Sequence, residues 1–103
     1  MTNPRKVAVT GIGMVTPLGN DVESTWKAIL EGESGIGEIA GFDASGFPTR
    51  IAAEVKGLRA EEAVEDRKSL KYATPFSLFA LAAAEEAVRD AGVRPTAATA
   101  ERW

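Results

Sequence analysis

The side chains that most often carry out enzyme chemistry are missing from this sequence of 103 residues. It contains no cysteine and no histidine. It therefore has no thiolate nucleophile, no imidazole base and none of the usual ligand sets for zinc and other transition metals. Hydroxyl groups such as those of Thr10 and Ser45 lack their commonest activating partner. Glu85 and Glu86 are neighbours in a predicted helix and do not face each other, which disfavours a carboxylate pair. We expect no catalytic residue, metal or cofactor in this chain.

Two glycines after the first apolar run, Gly11 and Gly13, match the start of a dinucleotide-binding loop. The complete fingerprint has a third glycine at the position of Thr16, and Pro17 follows where a helix should run. We favour the alternative that both glycines lie where the backbone turns or closely approaches another element. A nucleotide-binding α/β enzyme remains a hypothesis that depends on these two residues alone.

Arg67, Lys68 and Lys71 place three positive charges within five residues. The acidic residues just before them are Glu61, Glu62, Glu65 and Asp66. One interpretation is a solvated helical face with charge pairing between successive turns. The other is a docking surface for an acidic partner. Spacing alone favours the solvated face.

The composition is that of an ordinary globular domain, with 45% apolar and 26% charged residues and a net charge of −3. The acidic balance disfavours a general nucleic-acid binder. No stretch approaches the roughly 18 apolar residues of a membrane span, and no signal peptide is evident. We expect a cytoplasmic protein. A folded chain of this mass should expose about 5,600 Å², which allows a modest core.

The first predicted element is a strand at residues 7–10. The run is rich in β-branched residues and continuously apolar, which is typical of a strand buried on both faces of a parallel α/β sheet. A helix is predicted at residues 21–31, with Asn20 as N-cap, Glu23 completing a capping box, and Gly32 ending it. Its apolar face comprises Val22, Trp26, Ile29 and Leu30, and we expect Trp26 in the core.

Residues 32–49 are rich in glycine and polar side chains and are predicted to form a long loop. In it, Asp43 and Ser45 are expected to hold local turns. A strand is predicted at residues 50–56 and a short acidic helix at residues 60–66.

The last predicted helix has Thr74 as N-cap and Pro75 at its first position, and it ends before Gly92. Its first half is apolar or small on every side, so we expect it to be buried on every side. This helix and a strand buried on both faces need more protein than 103 residues supply. Either a partner chain covers them, or the chain is the first piece of a larger α/β domain.

Several segments along nearly the whole chain carry a family resemblance. They are residues 7–19, Trp26, residues 32–36, Phe42 with Asp43, residues 50–57 and residues 84–92. In order and spacing they resemble the β-ketoacyl-acyl-carrier-protein synthases, and most closely the type II ketosynthases.

The resemblance implies an α/β fold, in which residues 1–103 are the incomplete N-terminal portion of a thiolase-like, layered α/β/α/β/α structure. It implies a homodimer, or a heterodimer with a chain-length factor. It also implies decarboxylative condensation of an acyl group with malonyl-carrier protein. The family's nucleophilic Cys, two His and supporting Lys lie downstream of the matched region, so no catalytic residue is carried over to this chain.

The resemblance also bears on the basic cluster. Arg67, Lys68 and Lys71 match basic positions at which family members contact the acidic acyl carrier protein, and charge complementarity is the physical basis of that contact. This makes docking as strong an interpretation as the solvated face. Leu70 and Tyr72 depart from the more basic pattern of some relatives.

The sequence therefore leads to two main hypotheses about function. The first is the N-terminal segment of a β-ketoacyl-carrier-protein synthase of fatty-acid or polyketide synthesis, inactive by itself. The alternative is a complete small non-catalytic module that binds a carrier protein or a synthase subunit through its apolar helix. Neither hypothesis involves nucleic acid or a membrane.

Overall fold

The computed structural model describes residues 3–102, apart from the side chains of residues 62, 63, 69 and 102. It contains four α-helices and one antiparallel pair of strands. In chain order the elements are α1 (Val22–Leu30), β1 (Ile36–Glu38), β2 (Ile51–Ala53), α2 (Ala60–Ala63), α3 (Arg67–Leu70), α4 (Pro75–Ala91) and a 3₁₀ turn (Ala100–Arg102).

The chain is more extended than a closed domain of its length. Its radius of gyration is 17.7 Å, whereas a compact domain of this size has about 13 Å. It exposes 8659 Å², well above the roughly 5,600 Å² expected for its mass. Among the described residues, the buried apolar side chains are those of Ala28, Ala44 and Val64. The expected modest core is therefore wrong for this chain taken alone.

The strand predicted at residues 7–10 is not formed. This segment is extended, but Val7 is 91% and Val9 81% exposed, and the described residues provide no neighbouring strand beside it. A strand exists only when a second strand accepts and donates its backbone hydrogen bonds. The apolar pattern is real, but its pairing partner is absent from the described part of the chain.

Helix α1 confirms the predicted helix and its glycine stop, but its N-cap is Asp21 rather than Asn20. Asp21 has extended backbone angles, and its carboxylate accepts the backbone N–H of Ser24 at 2.8 Å. Asn20 instead donates its side-chain amide to the carbonyl of Lys56 at 2.8 Å. The predicted capping box is therefore wrong. Gly32 follows the helix with φ of +71°, as expected for a glycine stop.

The buried face of α1 is its small-residue face. Thr25 and Ala28 are buried, whereas Trp26 is 58% exposed. The Thr25 hydroxyl lies 3.0 Å from the hydroxyl of Thr16, in a tight turn that precedes the helix. Because this turn contacts the side of the helix that carries Thr25, the apolar face points away from it. The prediction that Trp26 lies in the core is wrong for this structure.

Strands β1 and β2 pair antiparallel, with Ile36 opposite Ala53 and Glu38 opposite Ile51. The strand prediction at residues 50–56 is confirmed at its centre. The loop prediction at residues 32–49 missed β1, which is three residues long and carries no alternating pattern. Within the remaining loop, Asp43 accepts the backbone N–H of Ser45 at 3.1 Å, as predicted.

The predicted acidic helix at residues 60–66 is shorter than expected. Helix α2 ends where Val64 adopts extended backbone angles, and α3 begins three residues later. Val64 is buried. This break places Glu65 and Asp66 between the two short helices, before the basic residues Arg67 and Lys68 that open α3.

Helix α4 has the predicted bounds, with Thr74 as N-cap, Pro75 at its first position and Gly92 left-handed at φ of +68°. The Thr74 hydroxyl lies 2.9 Å from that of Ser77 and does not bind a backbone N–H. None of the described residues of α4 is buried. The expected burial on every side is therefore not provided by this chain.

The segment that contains Gly11 and Gly13 lies against α4. A Cβ atom at Gly13 would overlap the carbonyl oxygen of Ala83, and one at Gly11 would overlap the carbonyl oxygen of Ala87. This contact confirms that the glycines permit close approach of two backbones. It also places helix backbone where a dinucleotide loop would need room for phosphate.

Two carboxylates of α4 hold this region by hydrogen bonds to backbone N–H groups. Asp90 accepts the N–H of Ile12 at 3.0 Å, and Glu86 accepts the N–H of Val22 at 2.8 Å. Val22 is the first residue of α1, whose N–H has no partner within the helix. Glu86 therefore supplements Asp21 at this helix start, where negative charge is favourable.

We predict that Gly13→Ala destabilises the chain, because the added methyl group overlaps the backbone of α4 at Ala83. The expected loss is about 1–3 kcal/mol in the free energy of unfolding, measured by urea denaturation followed by far-UV circular dichroism. Gly46→Ala is the matched control, since a Cβ there meets nothing within 4 Å. Equal stability of the two variants would contradict the close contact.

We predict that the contribution of Asp21 to stability depends on pH. Hydrogen bonds from Ser24 lower the pKa of Asp21 below its ordinary value of 3.8. The charged cap therefore stabilises the fold above that value, and its contribution is lost as the pH falls through the lower pKa of the folded state.

Asp21→Ala should cost about 1 kcal/mol at neutral pH, and less as the pH falls below about 4. Asp21→Asn keeps an oxygen acceptor without the titratable group. Its stability relative to Asp21→Ala should not change over this pH range. Urea denaturation at a series of pH values measures both differences, and a constant cost of Asp21→Ala at every pH would refute the assignment.

Candidate functional site

The predicted basic residues form one exposed cluster, which we call the basic surface: Arg67, Lys68 and Lys71. Arg67 and Lys68 open α3, and Lys71 lies in the turn that follows it. The Asp66 carboxylate accepts the backbone N–H of Lys68 at 3.0 Å and so fixes the first turn of this short helix. The structure thus brings all three predicted docking residues together.

The described acidic side chains before the basic surface form no ion pair with it. Among the described side chains, no carboxylate lies within ion-pair distance of Arg67, Lys68 or Lys71. Glu65 pairs instead with Arg94 beyond the end of α4, at 3.4 Å. The interpretation as a helical face with charge pairing between turns therefore finds no support in the described contacts.

An aromatic side chain extends this cluster, although no sequence pattern indicated that it belongs there. Tyr72 is 83% exposed, and its ring centroid lies 5.9 Å from the Nζ atom of Lys71. That distance is within the range of a cation–π contact. In the sequence, Tyr72 stood out only because some relatives have a more basic pattern at this point of the chain.

A concave region lies elsewhere, between the start of α1, the turn at residues 57–59 and α4, and its volume is about 380 Å³. Acidic and basic side chains both line it. Asp21 and Glu86 on its wall already accept backbone N–H groups of α1. These two side chains therefore cap α1, and we assign this region a structural role.

Lys56 is a positioning residue that the sequence analysis missed. Its Nζ atom donates to the carbonyl oxygens of Glu54 at 3.2 Å, Pro17 at 3.4 Å and Gly35 at 3.5 Å. The carbonyls of Pro17 and Gly35 belong to segments distant in sequence from Lys56, so no local signal could have identified these two contacts.

The described part of the chain contains no cluster of acidic side chains arranged to hold a metal ion. None of its helices is long and apolar enough to cross a membrane. Its notable chemical feature is therefore the basic surface with its adjacent tyrosine.

Comparison with known proteins gives a consistent result. Residues 4–102 match the family described as β-ketoacyl synthase, N-terminal domain. The chain is 44% identical over 98 residues to 3-oxoacyl-[acyl-carrier-protein] synthase 2 of Coxiella burnetii, which covers 95% of this chain and 23% of that protein.

Two further relatives agree. The chain is 35% identical over 102 residues to 3-oxoacyl-[acyl-carrier-protein] synthase 2 of Staphylococcus aureus, covering 99% of this chain and 24% of that protein. It is 44% identical over 92 residues to the chloroplastic 3-oxoacyl-[acyl-carrier-protein] synthase II of Arabidopsis thaliana, covering 89% of this chain and 17% of that protein.

The chain therefore spans about a quarter or less of the length of these curated relatives. The match includes the glycine-containing segment that lies against α4, both long helices and the basic surface. The family implies a thiolase-like fold, of which this structure contains helices and one two-stranded sheet. On these grounds the chain belongs to the β-ketoacyl synthase family and matches the N-terminal region of its members.

Proposed function

We propose that this chain forms the N-terminal part of a synthase that condenses acyl groups with malonyl-carrier protein in fatty-acid synthesis. The observation that carries the proposal is the match of residues 4–102 to the N-terminal domain of the family. The names of the relatives supply the reaction class, since each is a 3-oxoacyl-[acyl-carrier-protein] synthase.

The exposed apolar surface supports the same proposal. Val7 and Val9 project from an extended segment without a partner strand, and Trp26 and the first turns of α4 are uncovered. In the proposed synthase, residues 7–10 form a strand of a layered α/β/α/β/α structure, and α4 is enclosed. The same proposal includes assembly as a homodimer, or as a heterodimer with a chain-length factor, in the cytoplasm. A polyketide pathway is its alternative setting.

In this synthase the chain supplies scaffold contacts rather than catalytic side chains. It has no cysteine and no histidine, and the family resemblance assigns the nucleophile and its partners to later parts of the protein. The contacts of Gly11, Gly13 and Lys56 then serve to hold the first elements of the scaffold in register. We therefore expect the chain alone to be inactive.

We predict that this chain can replace the corresponding region of a relative. In the test, the 98 matched residues of the Coxiella burnetii synthase 2 are exchanged for those of this chain, and condensation of an acyl group with malonyl-carrier protein is measured. We expect turnover within about tenfold of the parent enzyme, a loss of about 1.4 kcal/mol, because the exchanged region has no cysteine or histidine to contribute to the chemistry.

Two controls accompany this test. The relative without the exchanged region, and the present chain alone, should both show no turnover. A chimera that folds and binds carrier protein but does not condense would contradict the proposal. Turnover by the chain alone would refute the claim of inactivity, and would favour a complete and independent function instead.

We further propose that the basic surface binds the acidic acyl carrier protein. Its three cations are exposed, lie within five residues and are not paired with described carboxylates. Complementary charge increases the rate of encounter and fixes the orientation of the partner. Because these side chains are exposed on a short helix and in the turn that follows it, an acidic partner can reach them.

We predict that Lys68→Glu and Lys71→Glu each weaken binding of acyl carrier protein by about tenfold at low salt, and by less at high salt, where charges are screened. Lys27→Glu on α1 changes the net charge equally at another exposed site and is the matched control. Isothermal titration calorimetry with the full chain measures the dissociation constants. Equal weakening by all three variants would show a general charge effect and contradict a local surface.

A further inference from the structure

We infer that Tyr72 is a specificity-determining part of the basic surface. With Lys71 it selects a partner whose acidic face carries an apolar side chain beside its carboxylates. The inference rests on the proposed function, because docking through Arg67, Lys68 and Lys71 is itself a proposal. It adds the chemical character that an acidic partner must have in order to bind this chain well.

The exposure of Tyr72 is the first observation. The side chain is 83% exposed, so it contributes little to the packing of the described chain. A tyrosine buries a large area at an interface and loses few rotatable bonds when it is fixed there. For this reason tyrosine is enriched among the residues that dominate binding at protein surfaces.

The contact with Lys71 is the second observation. The Nζ atom of Lys71 lies 5.9 Å from the centre of the Tyr72 ring, in the turn between α3 and α4. The ammonium group therefore lies over the ring, and both are exposed in the same turn. A carboxylate that approaches the ammonium group brings its neighbouring side chain to the ring. An apolar neighbour gains contact area there, whereas a second charged neighbour would be desolvated against the ring.

The charge balance around this turn is the third observation. Glu65 forms an ion pair with Arg94 at 3.4 Å and not with a cation of the basic surface. No described carboxylate then competes with an incoming acidic group for Lys68 or Lys71. The basic surface and Tyr72 together offer positive charge bordered by one aromatic ring, which fits an acidic protein with an apolar border.

Phe76 is also exposed but is not part of this surface. It lies in the first turn of α4, within the continuous apolar stretch that we assign to packing inside the larger synthase. Its side chain also has no hydroxyl group that could form a hydrogen bond with water in the free protein. Tyr72 has a hydroxyl group, as expected for a side chain that is wet in the free protein and dry in a complex.

The test measures the dissociation constant of the full chain for the acyl carrier protein of Coxiella burnetii, prepared without its prosthetic group, at several salt concentrations. We expect Tyr72→Ala to weaken binding about fivefold or more at every salt concentration, with an unchanged salt dependence. Tyr72→Phe keeps the ring and should bind within about twofold of the parent chain. Lys68→Glu should reduce both the affinity and the salt dependence.

Tyr72→Lys is the decisive variant, because it adds a positive charge while removing the ring. If charge alone governs docking, this variant binds more tightly than the parent chain at low salt and keeps a smaller advantage at high salt. If the ring contributes as inferred, it binds more weakly once charges are screened at high salt. Far-UV circular dichroism of each variant checks that the helices are retained, as expected for substitution of an exposed side chain.

The outcomes distinguish a failure of the inference about Tyr72 from a failure of the proposal that the basic surface binds acyl carrier protein. Weak binding by Lys68→Glu combined with unchanged binding by Tyr72→Ala overturns the role of Tyr72 and leaves the basic surface standing. Unchanged binding by both variants overturns the docking proposal and the inference together. Tighter binding by Tyr72→Lys at high salt also overturns the inference.

Discussion

The arrangement of this chain depends on one close contact between two backbones. Gly11 and Gly13 lie so near to α4 that a side chain at either position would collide with its carbonyl oxygens. Small side chains at Ala83, Ala87 and Ala91 make the approach possible from the other side. The carboxylates of Glu86 and Asp90, one helical turn apart, then bind the backbone N–H groups of Val22 and Ile12. This contact orients α1, because its first N–H group is held by α4.

The same contact explains why so much apolar surface remains open. Segment 11–13 and α4 cover each other along one narrow side only. The extended residues before Gly11 are exposed, and although α2 also contacts α4, none of the described residues of α4 is buried. The chain spans about a quarter of the length of its relative from Coxiella burnetii. Under the function proposed above, other parts of the synthase cover these faces.

The charged side chains fall into two groups: those that hold the backbone by hydrogen bonds, and those of the exposed basic surface. Asp21, Glu54, Glu86 and Asp90 each accept backbone N–H groups and so stabilise turns and helix starts. Glu65 is paired with Arg94. The cations of the basic surface have no such partner among the described side chains, and exposed aromatic area lies beside them. The chain thus carries a local basic surface although its net charge is −3.

The sequence by itself determined the features that depend on local backbone chemistry. Pro75 and Gly92 set the bounds of α4, Gly32 ended α1, and Asp43 formed its turn with Ser45, because each acts on backbone groups within a few residues. The order of its motifs also identified the family. The basic surface was predicted too, because its residues are neighbours in the chain.

Tertiary structure decided what depends on contacts between distant segments. Whether residues 7–10 become a strand depends on a partner strand, and β1 exists only because β2 lies beside it. Asp21 displaced Asn20 as the N-cap because the Asn20 amide binds the distant carbonyl of Lys56. The exposure of Trp26 followed from which face of α1 met the Thr16 turn. A one-dimensional pattern records that a face is apolar, but only the positions of other segments in space determine what covers it.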